Sequence, residues 1–408
     1  MRELSYPKSK INVLLLEKVD KIAFDLFKEE GYNVESLDGS LNEKDLIKKI
    51  KDVSILGIRS KTIISNKVIK SANKLLAIGA FCIGTNQIKF ESCNDSGIVV
   101  FNAPYSNTRS VVEIVIAQII NLMRKIIIKS NKMHSGVWRK DSLDSFEIRN
   151  KVIGIVGYGN IGSQLSVICE ALGMKVLYYD IVDKLSIGNA KKCKSLNDLL
   201  QNSDIVSLHV DGKKSNTNLI SDKEFSIMKE KSILVNYSRG NVVDINSLIK
   251  NIKSKKIMGA ALDVFPEEPS NNTEKFKSKV KGIEEIILSP HIGGSTKEAQ
   301  KNIGSYVPDK IIDFINSGNT SSSVNFPKLS LPEQSDSHRL IHIHKNQPGV
   351  MLKINKIISE YNINIKGQYL KTNEEIGYVI TDIDSVYNKE VVKSLKNIPA
   401  TIKLRVLY

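Results

Sequence analysis

Arginine is scarce in this chain, nine residues against fifty lysines, and tryptophan occurs once, at Trp138. The lysines are spread over the whole length. The net charge of +15 therefore reads as a compositional drift of the surface and not as one basic face for nucleic acid, whose binding would depend steeply on salt. In such a background a remaining arginine tends to stand where a planar, bidentate fork is needed, which singles out Arg59, Arg109 and Arg239. Cysteine is also sparse. Cys82, Cys93, Cys169 and Cys193 show no Cys-x-x-Cys spacing, which argues against a disulfide framework and makes reduced, cytoplasmic thiols the expectation. Clean apolar runs are missing too: the best, VVEIVIAQIINLMRKIIIK, is interrupted by Glu113, Gln118, Asn121 and Arg124 and reads as a buried helix, not a membrane span. The opening MRELSYPKSK has no apolar region behind its charges, so no secretory leader is expected and the mature chain is expected to start at Met1.

What is present is bulk and rhythm. With 41% hydrophobic and 25% charged residues, 408 residues make a globular protein of two or three domains. Over the first hundred residues KINVLLL, SILGIRS, LLAIGAF and IVVFNAP alternate with helical patterns, the βαβ rhythm of a parallel, doubly wound sheet. One long helix is expected from about Asn107 to Lys129. A second alternation through KVIGIVG, VLYYD, DIVSLHV, SILVNYS, MGAALDVF and EEIILSPH demands a second core. A helix from near Ser295 towards Asn316 then leads into SGNTSSSVNFPKLSLPEQSDS, whose polar residues, glycine and prolines read as a linker. Residues 338–408 read as strand, helix from Val350 to Tyr361, two strands, helix from Lys389 to Asn397 and strand, the ferredoxin-like βαββαβ order.

VIGIVGYGNIG places Gly157, Gly159 and Gly162 in G-x-G-x-x-G spacing between a strand and a helix. The first glycine allows a tight turn, the second lets backbone approach a pyrophosphate, and the third lets helix pack on strand. The pattern alone is weak, but the next strand ends in Asp180, eighteen residues past Gly162. A carboxylate there accepts ribose hydroxyls and repels a 2′-phosphate, which favours NAD over NADP. Arg239 in NYSRG, Glu268 in VFPEEP and His291 in SPHIGG each follow a strand of the same alternation. Hydride transfer from a 2-hydroxy acid needs a base, a cation for the carboxylate and an acid that orients the base, and these three residue types supply them. Spacing alone leaves Glu267 open as the partner of His291.

Together GYGNIG with Asp180, SRG, DVFPEEP and SPHIGGST resemble the D-isomer-specific 2-hydroxyacid dehydrogenases. FCIGTNQ, FNAPYSNTRSVVE and the closing βαββαβ segment narrow the resemblance to the bacterial-type branch that acts on 3-phosphoglycerate and carries a C-terminal ACT domain. The fold it implies is α/β: a Rossmann NAD-binding domain, residues 108–294, inserted in a flavodoxin-like substrate-binding domain, residues 1–107 with 295–330. A linker, 331–337, and a ferredoxin-like ACT domain, 338–408, follow. It implies Arg239, Glu268 and His291 as the catalytic set, choosing Glu268 because the family's acid directly precedes the proline. It implies that Gly157, Gly159, Asn160, Ile161, Gly162, Asp180, Tyr237, Ser238, Asp263, Gly293 and Gly294 line the NAD site. The active site would lie in the cleft between the two domains. Arg59, Ser60 and Lys61 are implied for the substrate phosphate, with Asn107 at the hinge and Trp138 and Lys140 on a segment that reaches across a dimer interface. Lys61 stands where the family usually has arginine, which reduces a fork to a point charge. Tyr237 stands where a small residue is usual and is expected to crowd the nicotinamide. Asp211 and Gly212 replace a usual proline near the adenine.

RLIHIHKNQPGV puts His342 and His344 on one face of a strand ahead of a turn signal. A metal pair would lack a clear third ligand beyond His338, so no metal is expected. The resemblance implies instead that His344, Asn346 and Asn364 bind L-serine at an interface between two ACT domains, giving feedback inhibition, and that the protein is a homotetramer. The usual arginine after Asn346 is Gln347 here. The expected activity is NAD-dependent oxidation of 3-phosphoglycerate. Reduction of 2-oxoglutarate is the alternative enzyme, and an NADH-sensing corepressor is the alternative outside enzymes.

Overall fold

The structure is a computed structural model and describes residues 7–269, 273–332, 337–384 and 389–407. The chain forms two compact units, Met1–Ser106 with Gln300–Tyr408, and Asn107–Ala299.

In the first unit, strands Asn12–Leu15, Asn33–Ser36, Ile55–Ile58, Ala77–Ala80 and Val99–Asn102 form a parallel sheet in the order second, first, third, fourth, fifth. That is the flavodoxin-like order. The inner strands are buried at nearly every position, because helices cover both faces. Leu14, Leu56, Ile78 and Val100 meet Leu46, Val68 and Ile69 on one face, while Val13, Leu15, Ile55 and Phe101 meet Phe27, Val307, Ile311 and Phe314 on the other. Gly79 permits the approach of the helix Lys297–Ser317: a Cβ there would stand 2.6 Å from Val307 Cγ1.

The stretch after that helix is not the linker its composition suggests. Asn319, Thr320, Ser323 and Asn325 are buried, Val324 N donates to Val100 O at 2.9 Å, and Asn325 Oδ1 accepts from Val100 N at 2.8 Å. Its polar side chains satisfy an irregular buried backbone, a use that composition does not distinguish from solvation. Of the expected linker 331–337, residues 333–336 lie outside the described residues.

The C-terminal segment forms an antiparallel sheet in the order Ile365–Thr372, Ile376–Ile383, His338–Lys345, Thr401–Leu407. With helices Val350–Glu360 and Lys389–Lys396 this is the βαββαβ arrangement. Strand alternation splits it in two: Leu340, Val379 and Ile383 meet the two helices, while Ile341, Ile343, Tyr378 and Ile380 share a core with Phe314 and Phe326. Arg339 forms a bidentate pair with Asp382, Nε to Oδ1 at 2.8 Å and the second nitrogen to Oδ2 at 2.9 Å, and also donates to Ser317 O. Tyr378 Oη donates to Gly318 O at 2.6 Å, and Arg405 lies 4.8 Å from the Phe314 ring. This shared core is why the third expected domain belongs to the first compact unit.

The second unit carries a seven-stranded parallel sheet in the order Ile286–Leu288, Ile257–Leu262, Ser232–Asn236, Ile205–Leu208, Val152–Val156, Lys175–Tyr179, Lys191–Lys192. The strand order reverses beside Val152–Val156, where open α/β sheets bind ligands. The expected long helix is two, Thr108–Arg124 and Ile126–His134, broken at Lys125, which takes a left-handed φ of 52°. The C-terminal carbonyls of Asn121 and Leu122 turn onto Lys125 N, closing the first helix before the second begins. Among the described residues no helix is long and apolar enough to cross a membrane.

Asp382→Ala leaves the Arg339 guanidinium buried and unpaired, a loss of about 3–5 kcal/mol for a broken buried pair. Amide hydrogen exchange should show lost protection in strands His338–Lys345 and Ile376–Ile383, and unchanged protection would contradict this account of the pair.

Candidate active site

Three turns at the carboxyl ends of the second unit's strands build the site. The first is the glycine turn. Gly157 has φ of 94°, and a Cβ on it would stand 2.4 Å from His209 O, so only glycine fits between the two central strands. A Cβ on Gly162 would lie 2.2 Å from Gly157 O, which is why helix Asn160–Ala171 packs tightly on its strand. Gly159 faces open space and is the N-cap of that helix, with no side chain on the first amides. An uncapped helix start over open space fits a pyrophosphate. Asp180 ends the neighbouring strand, and its Oδ2 accepts from Tyr158 N at 2.8 Å while Oδ1 accepts from Val182 N at 2.9 Å. The carboxylate is thereby fixed beside the glycine turn, in the place that suits ribose hydroxyls.

The second turn carries Arg239. Asn236 Oδ1 accepts from Ser238 N and Oγ, and Asn236 Nδ2 donates to Arg239 O, so the turn is tied to the end of its own strand. A Cβ on Gly240 would stand 2.0 Å from the Phe265 carbonyl, which sets this turn directly against the one that bears Glu268. A Cβ on Gly212 would meet Arg239 Cγ at 3.1 Å, so the glycine leaves room along the arginine stem.

The third turn carries His291. Its Nδ1 lies 2.7 Å from Glu268 Oε2, and Glu268 Oε1 accepts from Phe265 N at 3.1 Å. Of the two carboxylates left open by spacing, Glu268 is the one that reaches the imidazole. The hydrogen bond to Glu268 raises the histidine's pKa, helped by the charges of Glu268 and Asp263 and opposed by burial and by Arg239. For Glu268, burial pushes the pKa up but is outweighed by His291, Phe265 N and Arg239, which hold it below its usual range. His291 itself has φ of 53°, a left-handed conformation that costs of order 1 kcal/mol outside glycine. Asp263, 1% exposed, holds the turn in that state: Oδ1 accepts from Ser289 Oγ at 2.6 Å and Ile292 N at 2.9 Å, and Oδ2 from Gly293 N at 2.7 Å.

Residues 116–293 match the model of the D-isomer specific 2-hydroxyacid dehydrogenase NAD-binding domain, and residues 340–403 match an AHAS small subunit-like ACT domain. A D-3-phosphoglycerate dehydrogenase of Dictyostelium discoideum is 49% identical over 404 residues, 99% of each chain, and one of Escherichia coli K12 is 47% identical over 411 residues, 100% of each. The chain belongs to the D-3-phosphoglycerate dehydrogenases. Among solved structures, a D-lactate dehydrogenase with NAD+ from Lactobacillus jensenii aligns at a TM-score of 0.67 and 27% identity, over 77% of this chain and 99% of that one. The dehydrogenase is an NAD-dependent oxidoreductase with a C-terminal ACT domain.

In this dehydrogenase Tyr237 does not crowd the cofactor side of its turn. Its ring is 6% exposed and belongs to the hydrophobic core, with Oη 3.0 Å from Ser289 Oγ. The large side chain found where a small one is usual is turned inward. Asn107 sits at the start of helix Thr108–Arg124 and packs on Gly294, where a Cβ would meet its Nδ2 at 2.2 Å. Its Oδ1 is buried and has no hydrogen-bond partner among the described residues. Trp138 is 77% exposed and Lys140 is exposed, both on an irregular segment of the second unit.

Arg59, Ser60 and Lys61 belong to the first unit, just past strand Ile55–Ile58. Sequence reasoning missed what shapes their loop. Buried Glu17 accepts from Lys61 N at 2.9 Å and Thr62 N at 2.8 Å, and Gln87 Nε2 donates to Arg59 O at 2.6 Å. The available signal was an acid directly after the apolar run LLL, at a strand end. In the ACT domain, His342 and His344 share a buried face, each 2% exposed, with rings edge to face at 6.0 Å. His344 Nδ1 donates to Lys345 O at 2.7 Å, while its Nε2 is buried with no partner among the described residues. His342 Nε2 lies 2.7 Å from Thr401 Oγ1, and burial with the neighbouring His344 pushes its pKa down to about 4. Asn346 Nδ2 donates to Asn373 O and Asn364 Nδ2 to Asp384 Oδ2, both on exposed positions. The described residues contain no cluster of three His, Cys, Asp or Glu that could hold a metal ion.

Glu268→Gln removes the largest cause that raises the His291 pKa. Exchange of the imidazole C2 proton for deuterium, read by mass spectrometry, should report a lower His291 pKa in this variant. An unmoved His291 would mean that the 2.7 Å contact carries no charge coupling.

Proposed function

We propose that the chain oxidises 3-phosphoglycerate to 3-phosphohydroxypyruvate with NAD, the opening step of L-serine synthesis, and that L-serine restrains it through the ACT domain. The observation that carries the reading is the His291–Glu268 hydrogen bond, set beside Arg239 in a chain that matches D-3-phosphoglycerate dehydrogenases from end to end.

Neutral His291, through Nε2, takes the proton of the substrate's C2 hydroxyl as the C2–H bond breaks and the carbonyl forms. Glu268 fixes the tautomer, with the proton on Nδ1, and stabilises the imidazolium that results. Arg239 pairs with the substrate carboxylate and polarises the oxygen that becomes the carbonyl. The chemistry supplied by NAD, when bound, is acceptance of the hydride from C2. Gly157, Gly159, Asn160, Ile161 and Gly162 hold its pyrophosphate, and Asp180 its ribose. Ser238, Asp263, Gly293 and Gly294 shape the nicotinamide end, with the Tyr237 ring turned inward beneath Gly293.

Arg59, Ser60 and Lys61 bind the substrate phosphate, with Lys61 as a point charge. Asn107 supplies its unpaired Oδ1 to the substrate. Trp138 and Lys140 act in the homotetramer, on a neighbouring subunit. His344, Asn346 and Asn364 take the carboxylate and ammonium of L-serine between two ACT domains, and the bare Nε2 of His344 suits an ammonium donor. The protein works in the cytoplasm.

His291→Ala should lower kcat for NADH formation from 3-phosphoglycerate by about 10²–10⁴-fold, the usual contribution of a positioned base. No turnover of 3-phosphoglycerate by the unmodified protein, with turnover of another 2-hydroxy acid, would replace this substrate assignment. Asp180→Ala should narrow the preference for NAD over NADP, read as the ratio of the two kcat/KM values, and an unchanged ratio would remove Asp180 from the ribose.

A further inference from the structure

The Tyr237 hydroxyl, Ser289 and Asp263 form a line of hydrogen bonds that runs from the core to the turn of His291. Ser289 Oγ has a single hydrogen, and it goes to Asp263 Oδ1 at 2.6 Å, the short distance of a hydroxyl on a carboxylate. At its other contact, 3.0 Å from Tyr237 Oη, Ser289 must therefore accept, and the phenol must donate. Both hydroxyls thus donate towards Asp263. Asp263 then closes around His291 from both sides of the chain, through Ser289 before it and the amides of Ile292 and Gly293 after it. A Cβ on Gly293 would also stand 3.2 Å from Tyr237 Cδ1, so the ring itself is the floor of the turn.

From this arrangement we propose that Tyr237 is a positioning residue for His291: its hydroxyl locks Ser289 onto Asp263, and the locked turn keeps His291 in its left-handed conformation and its imidazole on Glu268. This rests on the reading of His291 as the base and adds a role that the resemblance did not supply, since a small residue is usual at this position. Burial pushes the Tyr237 pKa up to about 12, so the phenol stays protonated and able to donate at any working pH. The groups that act on the His291 charge are Glu268, Asp263 and Arg239, and the line controls how closely the first of them is approached.

The test compares full-length protein with Tyr237→Phe, Ser289→Ala and the double variant, using two readouts. The first needs no substrate: the His291 pKa from imidazole C2 exchange. Tyr237→Phe keeps the ring and removes only the hydroxyl, and the slackened turn should lower the His291 pKa towards its ordinary value. Ser289→Ala should do the same, and the double variant should be no worse than Ser289→Ala, because both cut one line. The second readout is the pH profile of NADH formation. The acid limb of kcat/KM should move to lower pH in step with the exchange data, and kcat at the plateau should fall several-fold, while the NADH Kd from fluorescence stays within twofold. An unchanged His291 pKa in Tyr237→Phe overturns the proposal, and so does a change confined to NADH affinity. If the unmodified protein shows no turnover while the pKa still shifts, the positioning role stands and the substrate assignment falls instead.

Discussion

The site depends on one buried carboxylate. Asp263 is almost sealed from solvent, and burial pushes its pKa above the usual carboxylate range against the pull of the groups that bond it. A charge in that position persists only if its oxygens are satisfied, and they are satisfied by a hydroxyl and two backbone amides drawn from the single turn that carries His291. The cost of burying the acid is thus returned as order in the turn. Those contacts help hold a non-glycine residue at φ of 53°, and with it the approach of the imidazole to Glu268.

The parallel sheet explains why so few residues suffice. Each strand of the second unit delivers its following turn to the same edge, so the glycine turn, the Arg239 turn, the Glu268 turn and the His291 turn arrive together although more than a hundred residues separate the first from the last. Glycines at 157, 162 and 240 let neighbouring backbones approach to distances that any side chain would forbid. The C-terminal sheet is joined to the first unit by a different device: one face is covered by its own helices, and the other is committed to Phe314 and Phe326, with Arg339, Tyr378 and Arg405 bonded to carbonyls of the same segment.

Much of this was legible in the sequence because periodicity and turn chemistry carry it. Strand and helix alternation gave three sheets, and the G-x-G-x-x-G pattern with Asp180 marked the nucleotide end, since tight turns leave glycines behind. The choice of Glu268 over Glu267 needed either resemblance or coordinates, because adjacent carboxylates are equivalent in spacing. Other features were hidden. A stretch rich in Ser, Thr and Asn after Ser317 looks solvated in one dimension, yet Asn325 and Thr320 spend their side chains on buried backbone. The break at Lys125 rests on a left-handed lysine, with neither glycine nor proline to announce it. The direction of the Tyr237 ring, and with it the link to Ser289, depends on tertiary packing that no local pattern encodes. The same is true of Glu17, whose two bonds span more than forty residues.

The central claim is that the chain moves a hydride from C2 of 3-phosphoglycerate to NAD while His291 takes the hydroxyl proton. The direct measurement is to incubate the protein with NAD and 3-phosphoglycerate deuterated at C2 and to weigh the reduced cofactor by mass spectrometry. The account predicts one deuterium in each NADH formed and a slower rate than with the protonated substrate. Reduced cofactor without deuterium, or none formed at all, would contradict it.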